Sequence, residues 1–227
     1  MATLAFDVYG TLIDTQGVLV ALEKHAGNRA SDFSLTWREK QLEYSFRRGL
    51  MRRYVTFADC TSQALDDTCA RFQLPLGRAE KDRLLEVYKT LPAFPDVAGC
   101  LARARSLGFR LFAFSNGTAA AVETLLQHVG LREAFLDVVS VDELQSFKPD
   151  PAVYAHFLRR AGSTGAETWL ISGNPFDVLG ALSAGLRSAW IQRSPEARFD
   201  PWGIEPTLTV AGLQELPDRI HQFYGRS

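Results

Sequence analysis

The chain has 227 residues, of which 46% are hydrophobic, 22% charged and 11% aromatic, a composition that excludes a disordered or fibrous chain and allows a sizeable buried core. Twenty-five Lys and Arg stand against 26 Asp and Glu, for a net charge of −1. No overall field would therefore hold nucleic acid or an anionic membrane, and an anionic ligand has to be gripped by local groups.

Residues 1–8 lack the basic start and long apolar region of a signal peptide, and no later apolar run nears the ~20 residues needed to cross a bilayer. With Cys60, Cys69 and Cys100 forming no C-x-x-C pair, neither a disulfide framework nor a thiolate zinc site is suggested, and a cytoplasmic protein with reduced thiols is expected. The first predicted strand covers residues 3–8, closed by Gly10 and Thr11. Asp7 interrupts it, and a carboxylate at the end of a buried strand is costly unless it is paired or used.

From about residue 14 to residue 92 the pattern reads as helices only, including 35–53, 61–72 and 85–91. Beyond it, apolar runs at 109–114, 137–141, 168–172 and 187–192 alternate with helix-like segments at 119–129, 151–161 and 176–184. Strands alternating with helices predict an α/β fold, a doubly wound, Rossmann-like parallel sheet covered on both faces. The expected organisation is a core domain of residues 1–13 and 93–227, with an inserted α-helical cap domain of residues 14–92 above the carboxyl ends of the strands, where such sheets bind ligands.

The proposed strand ends carry polar residues: Asp7 and Thr11, then Ser115 and Asn116, then Lys148, then Ser172, Asn174 and Asp177. In a doubly wound sheet these positions converge on one crevice. Lys148 lies in Phe147-Lys148-Pro149-Asp150-Pro151, where two prolines fix the chain and would hold the lysine at the mouth of the crevice, offsetting the charge of Asp7. Asp177 also suits a helix N-terminal carboxylate favoured by the dipole. Arg47-Arg48 and Arg52-Arg53 read as a solvated helix face or as partners in ion pairs rather than a nucleic-acid patch. His25, His128, His156 and His221 show no metal spacing.

The set Asp7-Val8-Tyr9-Gly10-Thr11, Ser115-Asn116-Gly117, Lys148-Pro149 and Ser172-Gly173-Asn174-Pro175-Phe176-Asp177 resembles the four motifs of the haloacid dehalogenase superfamily, in its L-2-haloacid dehalogenase branch. The segment Trp37-Arg38-Glu39-Lys40-Gln41-Leu42-Glu43-Tyr44 is similar to the cap of that branch. Most of the superfamily are magnesium-dependent phosphatases with a second Asp where this chain has Tyr9, and with an acidic pair in the last motif where it has Gly173 and Asn174. The resemblance therefore implies metal-independent, cofactor-free hydrolysis of a short 2-haloacid, in which Asp7 attacks the carbon with inversion and forms an ester.

It further implies that Ser115 and backbone N–H groups around Val8, Tyr9 and Asn116 anchor the substrate carboxylate, and that Thr11, Lys148 and Ser172 orient Asp7. Arg38, Asn116 and the ring edge of Phe176 would cradle the halide ion. Asp177, assisted by Asn174 and Lys148, would activate the hydrolytic water, while Tyr9, Leu42, Phe57 and Phe176 wall the pocket and Tyr154 hydrogen-bonds into it. Compensation is needed because two unit charges ~4 Å apart at an effective dielectric near 20 repel by about 4 kcal/mol. The branch usually carries Gln, Ser, Ala and Trp where this chain has Glu39, Gly173, Pro175 and Phe176, which points to a reshaped pocket. Homodimers are common in the family. The alternatives are a magnesium-dependent phosphatase of the same superfamily and a non-catalytic protein that binds small carboxylates.

Overall fold

The computed structural model describes residues 2–225. The first strand, β1 (Thr3–Asp7), is buried along its whole length, as an apolar run in the middle of a sheet must be. Four helices follow: α1 (Leu19–Ala26), α2 (Ala30–Leu50), α3 (Phe57–Arg71) and α4 (Arg78–Val87). After them come α5 (Val97–Ser106), β2 (Arg110–Ser115), α6 (Ala119–His128), β3 (Asp137–Ser140), α7 (Pro151–Ala161), β4 (Thr168–Ser172), α8 (Pro175–Ser183), β5 (Arg187–Ile191), β6 (Leu208–Val210) and α9 (Leu216–Gly225).

All six strands are parallel, in the order β3-β2-β1-β4-β5-β6. The order reverses between β1 and β4, which makes the carboxyl ends of those two strands the switch point where such sheets bind ligands. Side chains alternate across the sheet. Leu4, Phe6, Leu111, Ala113, Trp169 and Ile171 face one core cluster. Ala5, Phe112, Phe114 and Leu170 face the other, with Tyr154 and Phe157 of α7. The doubly wound α/β expectation matches this architecture. The sixth strand, three residues long, is an addition that no alternation announces.

The helical segment leaves and rejoins the core through paired linkers. Asp14 N–H donates to the Pro92 carbonyl at 2.8 Å and Phe94 N–H to the Leu12 carbonyl at 3.0 Å, with Ile13 and Ala93 bridged antiparallel between them. Helix ends differ from the sequence reading where capping decides them. Thr56 and Asp59 form a reciprocal capping box that starts α3 at Phe57, four residues before the expected start at 61. Glu80 accepts from Gly77 N–H at 2.7 Å, so the helix expected over 85–91 begins at Arg78, and the chain turns after Val87 toward Pro92. The helices pack through aromatics: Trp37 of α2 meets Phe33 and Tyr88 edge-on at 6.4 and 4.9 Å, and its indole donates to the Thr61 carbonyl of α3 at 2.8 Å.

Candidate active site

Asp7 ends β1 and Ser172 ends the neighbouring β4, so parallel pairing alone brings together residues 165 positions apart. After Asp7 the chain folds into a tight loop in which the N–H groups of Thr11, Leu12 and Ile13 all point at the Val8 carbonyl. Gly10 takes φ +84° there, a conformation that favours glycine. A Cβ at Gly173 would sit 2.5 Å from the Gly10 carbonyl oxygen, so the absence of a side chain lets the loop after β4 close onto the loop after β1.

The two oxygens of the buried Asp7 carboxylate are treated unequally. Oδ2 accepts from Thr11 Oγ1 at 2.8 Å, Ser172 Oγ at 3.2 Å and Asn174 Nδ2 at 2.7 Å. Both hydroxyls are polarised toward it, because Thr11 Oγ1 accepts from Gly173 N–H at 2.9 Å and Ser172 Oγ from Asn174 N–H at 3.1 Å, which commits each hydroxyl proton to the carboxylate. Among the described residues, Oδ1 accepts only from the Lys148 ammonium, at 3.1 Å.

Lys148 is a correction to the sequence reading: it lies on the floor of the site, 1% exposed, rather than at its mouth. The reason is its set of partners. Nζ donates to Asp7 Oδ1, to Asp177 Oδ2 at 2.8 Å and to the Phe114 carbonyl at 2.9 Å, and stands 4.2 Å from the centre of the Phe114 ring. Burial pulls its pKa down, but the two carboxylates outweigh burial and the net shift is upward. Its own N–H is held by Asn116 Oδ1 at 2.9 Å, leaving the other end of that amide, Nδ2, free to donate elsewhere.

Asp177 is fully buried. Its Oδ1 accepts from the Tyr154 hydroxyl at 2.8 Å, which the missing Cβ of Gly180 lets approach α8. Burial is the main reason its carboxyl pKa is raised to about 6, partly opposed by Lys148 and Tyr154. Ser115, buried at the end of β2, accepts from Gly117 N–H at 3.1 Å and retains a hydroxyl proton to donate.

From the helical segment, α2 brings Arg38 against the same loop. Its Nη2 donates to the Tyr9 carbonyl at 3.4 Å and its Nη1 to Gln41 Oε1 at 2.6 Å. The Tyr9 carbonyl also accepts from Asn174 at 3.0 Å, so cap and core meet on one oxygen. Burial lowers the guanidinium pKa while Tyr88, Asp7 and Tyr9 raise it, and an arginine stays cationic under such shifts. Glu39, expected to reshape the pocket near Arg38, is exposed, whereas Arg38 turns to Gln41.

Tyr9 and Phe57 pack at 6.1 Å between ring centres, Leu42 lies against the same cluster, and Phe176 packs edge-on against Phe46 of α2 at 5.0 Å. A cleft of about 630 Å³ is lined by Tyr9 and Phe57 together with Gln41, Tyr88 and Gly117, and not by Leu42 or Phe176. Sequence reasoning missed Gln41 and Tyr88. Gln41 carried a legible signal, since a polar residue three positions after Arg38 shares its helix face. Tyr88 carried none.

The donor set does not suit a divalent metal. Both carboxylates of the site are joined to Lys148, and burial lifts the Tyr9 phenol to about 12. Among the described residues no group of three or more His, Cys, Asp or Glu could hold a metal ion, and hard cations such as Mg²⁺ require oxygen donors, usually carboxylates.

Known proteins resemble this chain over nearly its whole length. A family model described as haloacid dehalogenase-like hydrolase matches residues 1–185. Haloacetate dehalogenase H-2 of Moraxella sp. (strain B) is 37% identical over 94% of this chain and 95% of its own length. The (S)-2-haloacid dehalogenase of Pseudomonas sp. (strain YL) is 33% identical over 99% and 96%. The structure of L-2-haloacid dehalogenase from Xanthobacter autotrophicus with chloropropionic acid covalently bound superposes with a TM-score of 0.91 at 32% identity, covering 97% of this chain and 98% of that one. A switch-point Asp clamped by three donors and a lysine, an arginine brought in by a helical insertion, and full-length likeness to these enzymes lead to one assignment: the chain belongs to the haloacid dehalogenase-like hydrolases, in the L-2-haloacid dehalogenase branch.

Proposed function

We propose that this protein hydrolyses short L-2-haloacids, the (S) enantiomers, to D-2-hydroxy acids without a metal. The observation that carries the reading is the unequal pair of Asp7 oxygens. Oδ2 is held by three donors and Oδ1 by Lys148 alone, so Oδ1 is the oxygen with a free lone pair. It attacks C2 from the side opposite the halogen. The new bond is Oδ1–C2, the carbon–halogen bond breaks with its electron pair on the halide, and the centre inverts.

The core, residues 1–13 and 93–227, supplies the nucleophile and the carboxylate anchor of Ser115 with backbone N–H groups around Val8, Tyr9 and Asn116. The cap, residues 14–92, supplies Arg38, which takes up the halide with Asn116 Nδ2 and the edge of the Phe176 ring. Tyr9, Leu42, Phe57 and Phe176 keep bulk water from the reacting carbon.

Once the ester exists, Oδ2 is its carbonyl oxygen, and the donors that oriented the nucleophile become an oxyanion hole. Water, its proton taken by Asp177 with Lys148 and Asn174 alongside, attacks Cγ. Negative charge gathers on Oδ2 between Thr11, Ser172 and Asn174, and collapse breaks the Cγ–Oδ1 bond; the leaving oxygen takes the proton that Asp177 removed from water, and the hydroxy acid departs. A base whose carboxyl titrates near neutrality suits this step.

A cytoplasmic location is part of the same reading, supported by the three buried free cysteines, Cys60, Cys69 and Cys100; among the described residues no helix is long and apolar enough to cross a membrane. A homodimer is supported by the family resemblance, and sedimentation of the purified protein tests it. The chemistry is tested by a single turnover of L-2-chloropropionate in heavy-oxygen water. The label is expected in the Asp7 side chain, with product oxygen drawn from the protein. Label in the product and none in Asp7 would exclude the ester.

A further inference from the structure

Arg38 would receive the halide only if its guanidinium is held in one orientation before the anion arrives, and the structure shows what holds it. Its contact with the Tyr9 carbonyl is long, at 3.4 Å, whereas that with Gln41 Oε1 is short, at 2.6 Å. We propose that Gln41 is a positioning residue that aims Arg38 through a one-way hydrogen-bond chain ending on the Phe57 carbonyl. The proposal rests on the dehalogenase reading for what Arg38 does.

The direction of the chain follows from its two ends. A guanidinium has donors only, so Gln41 has to present its oxygen to Arg38. Its Nε2 then points to Thr61 Oγ1, which is left to accept, and the Thr61 proton goes to the Phe57 carbonyl at 2.8 Å. Reversing the amide would set NH₂ against the guanidinium and carbonyl oxygen against an oxygen whose proton is already committed. Gln41 is 1% exposed and Thr61 5%, so both links are largely withdrawn from bulk solvent although both residues border the cleft. The base of the chain is rigid, because the Trp37 indole ties α2 to the carbonyl of that same Thr61 at 2.8 Å.

The chemistry of position 41 also explains why an amide suits it. A carboxylate there would orient Arg38 equally well but would cancel its charge; an amide orients the group and leaves the charge for the departing anion. Acids elsewhere on α2 are directed away: Glu43 pairs with Lys40 and Arg47, and Glu39 is exposed. Gln41 is given no contact with the reacting atoms, so its effect is confined to the step that expels the halide.

The test uses the full chain with Gln41→Glu, Gln41→Leu and Thr61→Val, with Arg38→Lys as reference. Bromide affinity is read from bromide-dependent thermal stabilisation. Ester formation and ester hydrolysis are read separately by rapid quench with L-2-bromopropionate. Expected for Gln41→Glu are bromide binding weakened about tenfold or more and ester formation slowed to a similar degree, with hydrolysis within about twofold of wild type; Thr61→Val shifts both in the same direction by less. Wild-type bromide affinity and ester formation in both Gln41 variants would overturn the proposal, as would equal slowing of both steps or a wild-type chain that does not bind bromide. If the wild type binds bromide through Arg38 yet releases no halide from substrate, the dehalogenase reading fails, and bromide affinity alone then decides the role of Gln41.

Discussion

Thr11 donates its hydroxyl to Oδ2 of Asp7 at 2.8 Å, four residues along the same loop, while taking a hydrogen bond from Gly173 N–H. The threonine thus passes the pull of the β4 loop to the Asp7 carboxylate. Thr11→Val removes one of three donors to Oδ2 and leaves Gly173 N–H facing a methyl group. A stability loss of about 1–3 kcal/mol is expected, together with a fall in kcat of about tenfold to a hundredfold from a weaker oxyanion hole. Urea titration and steady-state halide release check the two separately.

Lys148, 1% exposed, holds two carboxylates away from bulk solvent. Lys148→Met would leave Asp7 and Asp177 buried with no cation between them, a change of the kind that costs about 3–5 kcal/mol. Halide release is expected to fall by about a thousandfold or more, because substrate and nucleophile would both be anionic with nothing to offset them. If the Met variant is as stable as wild type in chemical denaturation, the ammonium does not carry this charge balance.

The proposed base sets a pH dependence. Asp177 acts ionised, and with its carboxyl raised to about 6 by burial, kcat is expected to fall as pH drops through 6. The stability sign is opposite. The native state holds this proton more tightly than an unfolded chain with its carboxyl near 3.8, so the group's contribution favours folding below about pH 4 and is lost as pH rises to about 6. A pH profile of kcat under substrate saturation checks the acid limb.

Tyr154→Phe probes the same group from behind. The hydroxyl lowers the Asp177 carboxyl pKa by hydrogen-bonding the charged form. Its removal is expected to move the acid limb upward by a fraction of a unit to about one unit. An unmoved limb would mean that the titration belongs to another residue.

Metal removal separates this chain from the magnesium-dependent phosphatases of the superfamily. Dialysis against EDTA is expected to leave halide release unchanged and added Mg²⁺ to leave it unraised, since Lys148 already occupies both site carboxylates. Magnesium-dependent release of phosphate from an aryl phosphate would overturn the assignment of chemistry.

Much of this was legible in residue order. Strands β1, β3 and β4 declare themselves because apolar runs end in polar turns, and Thr11, Lys148 and Ser172, at or after those ends, are the residues that meet at Asp7, while Asn116 after β2 holds the Lys148 backbone. What stayed hidden has physical causes. A strand of three residues, Leu208–Val210, is too short to show alternation. The start of α3 was misplaced because Thr56 and Asp59 cap each other one turn ahead of the expected start. The depth of Lys148 depends on the Phe114 carbonyl and ring, partners that hydropathy does not reveal. Gln41 is legible as the neighbour of Arg38 on one helix face, whereas Tyr88 gives no signal and is brought to Arg38 by the turn after α4. Of the paired arginines, expected on one solvated helix face or in cap-to-core ion pairs, Arg47 joins Glu43 within α2 and Arg48 donates to Gln63, whereas Arg52 and Arg53 are exposed but lie beyond the end of α2 at Leu50.

The antiparallel bridge between Ile13 and Ala93 closes the helical excursion on itself. Since the polypeptide departs from the sheet and returns to it at neighbouring points, all six strands and the Asp7, Lys148 and Asp177 trio lie outside the excursion, and Arg38 inside it reaches the loop after Asp7 by side-chain contact rather than by chain connectivity.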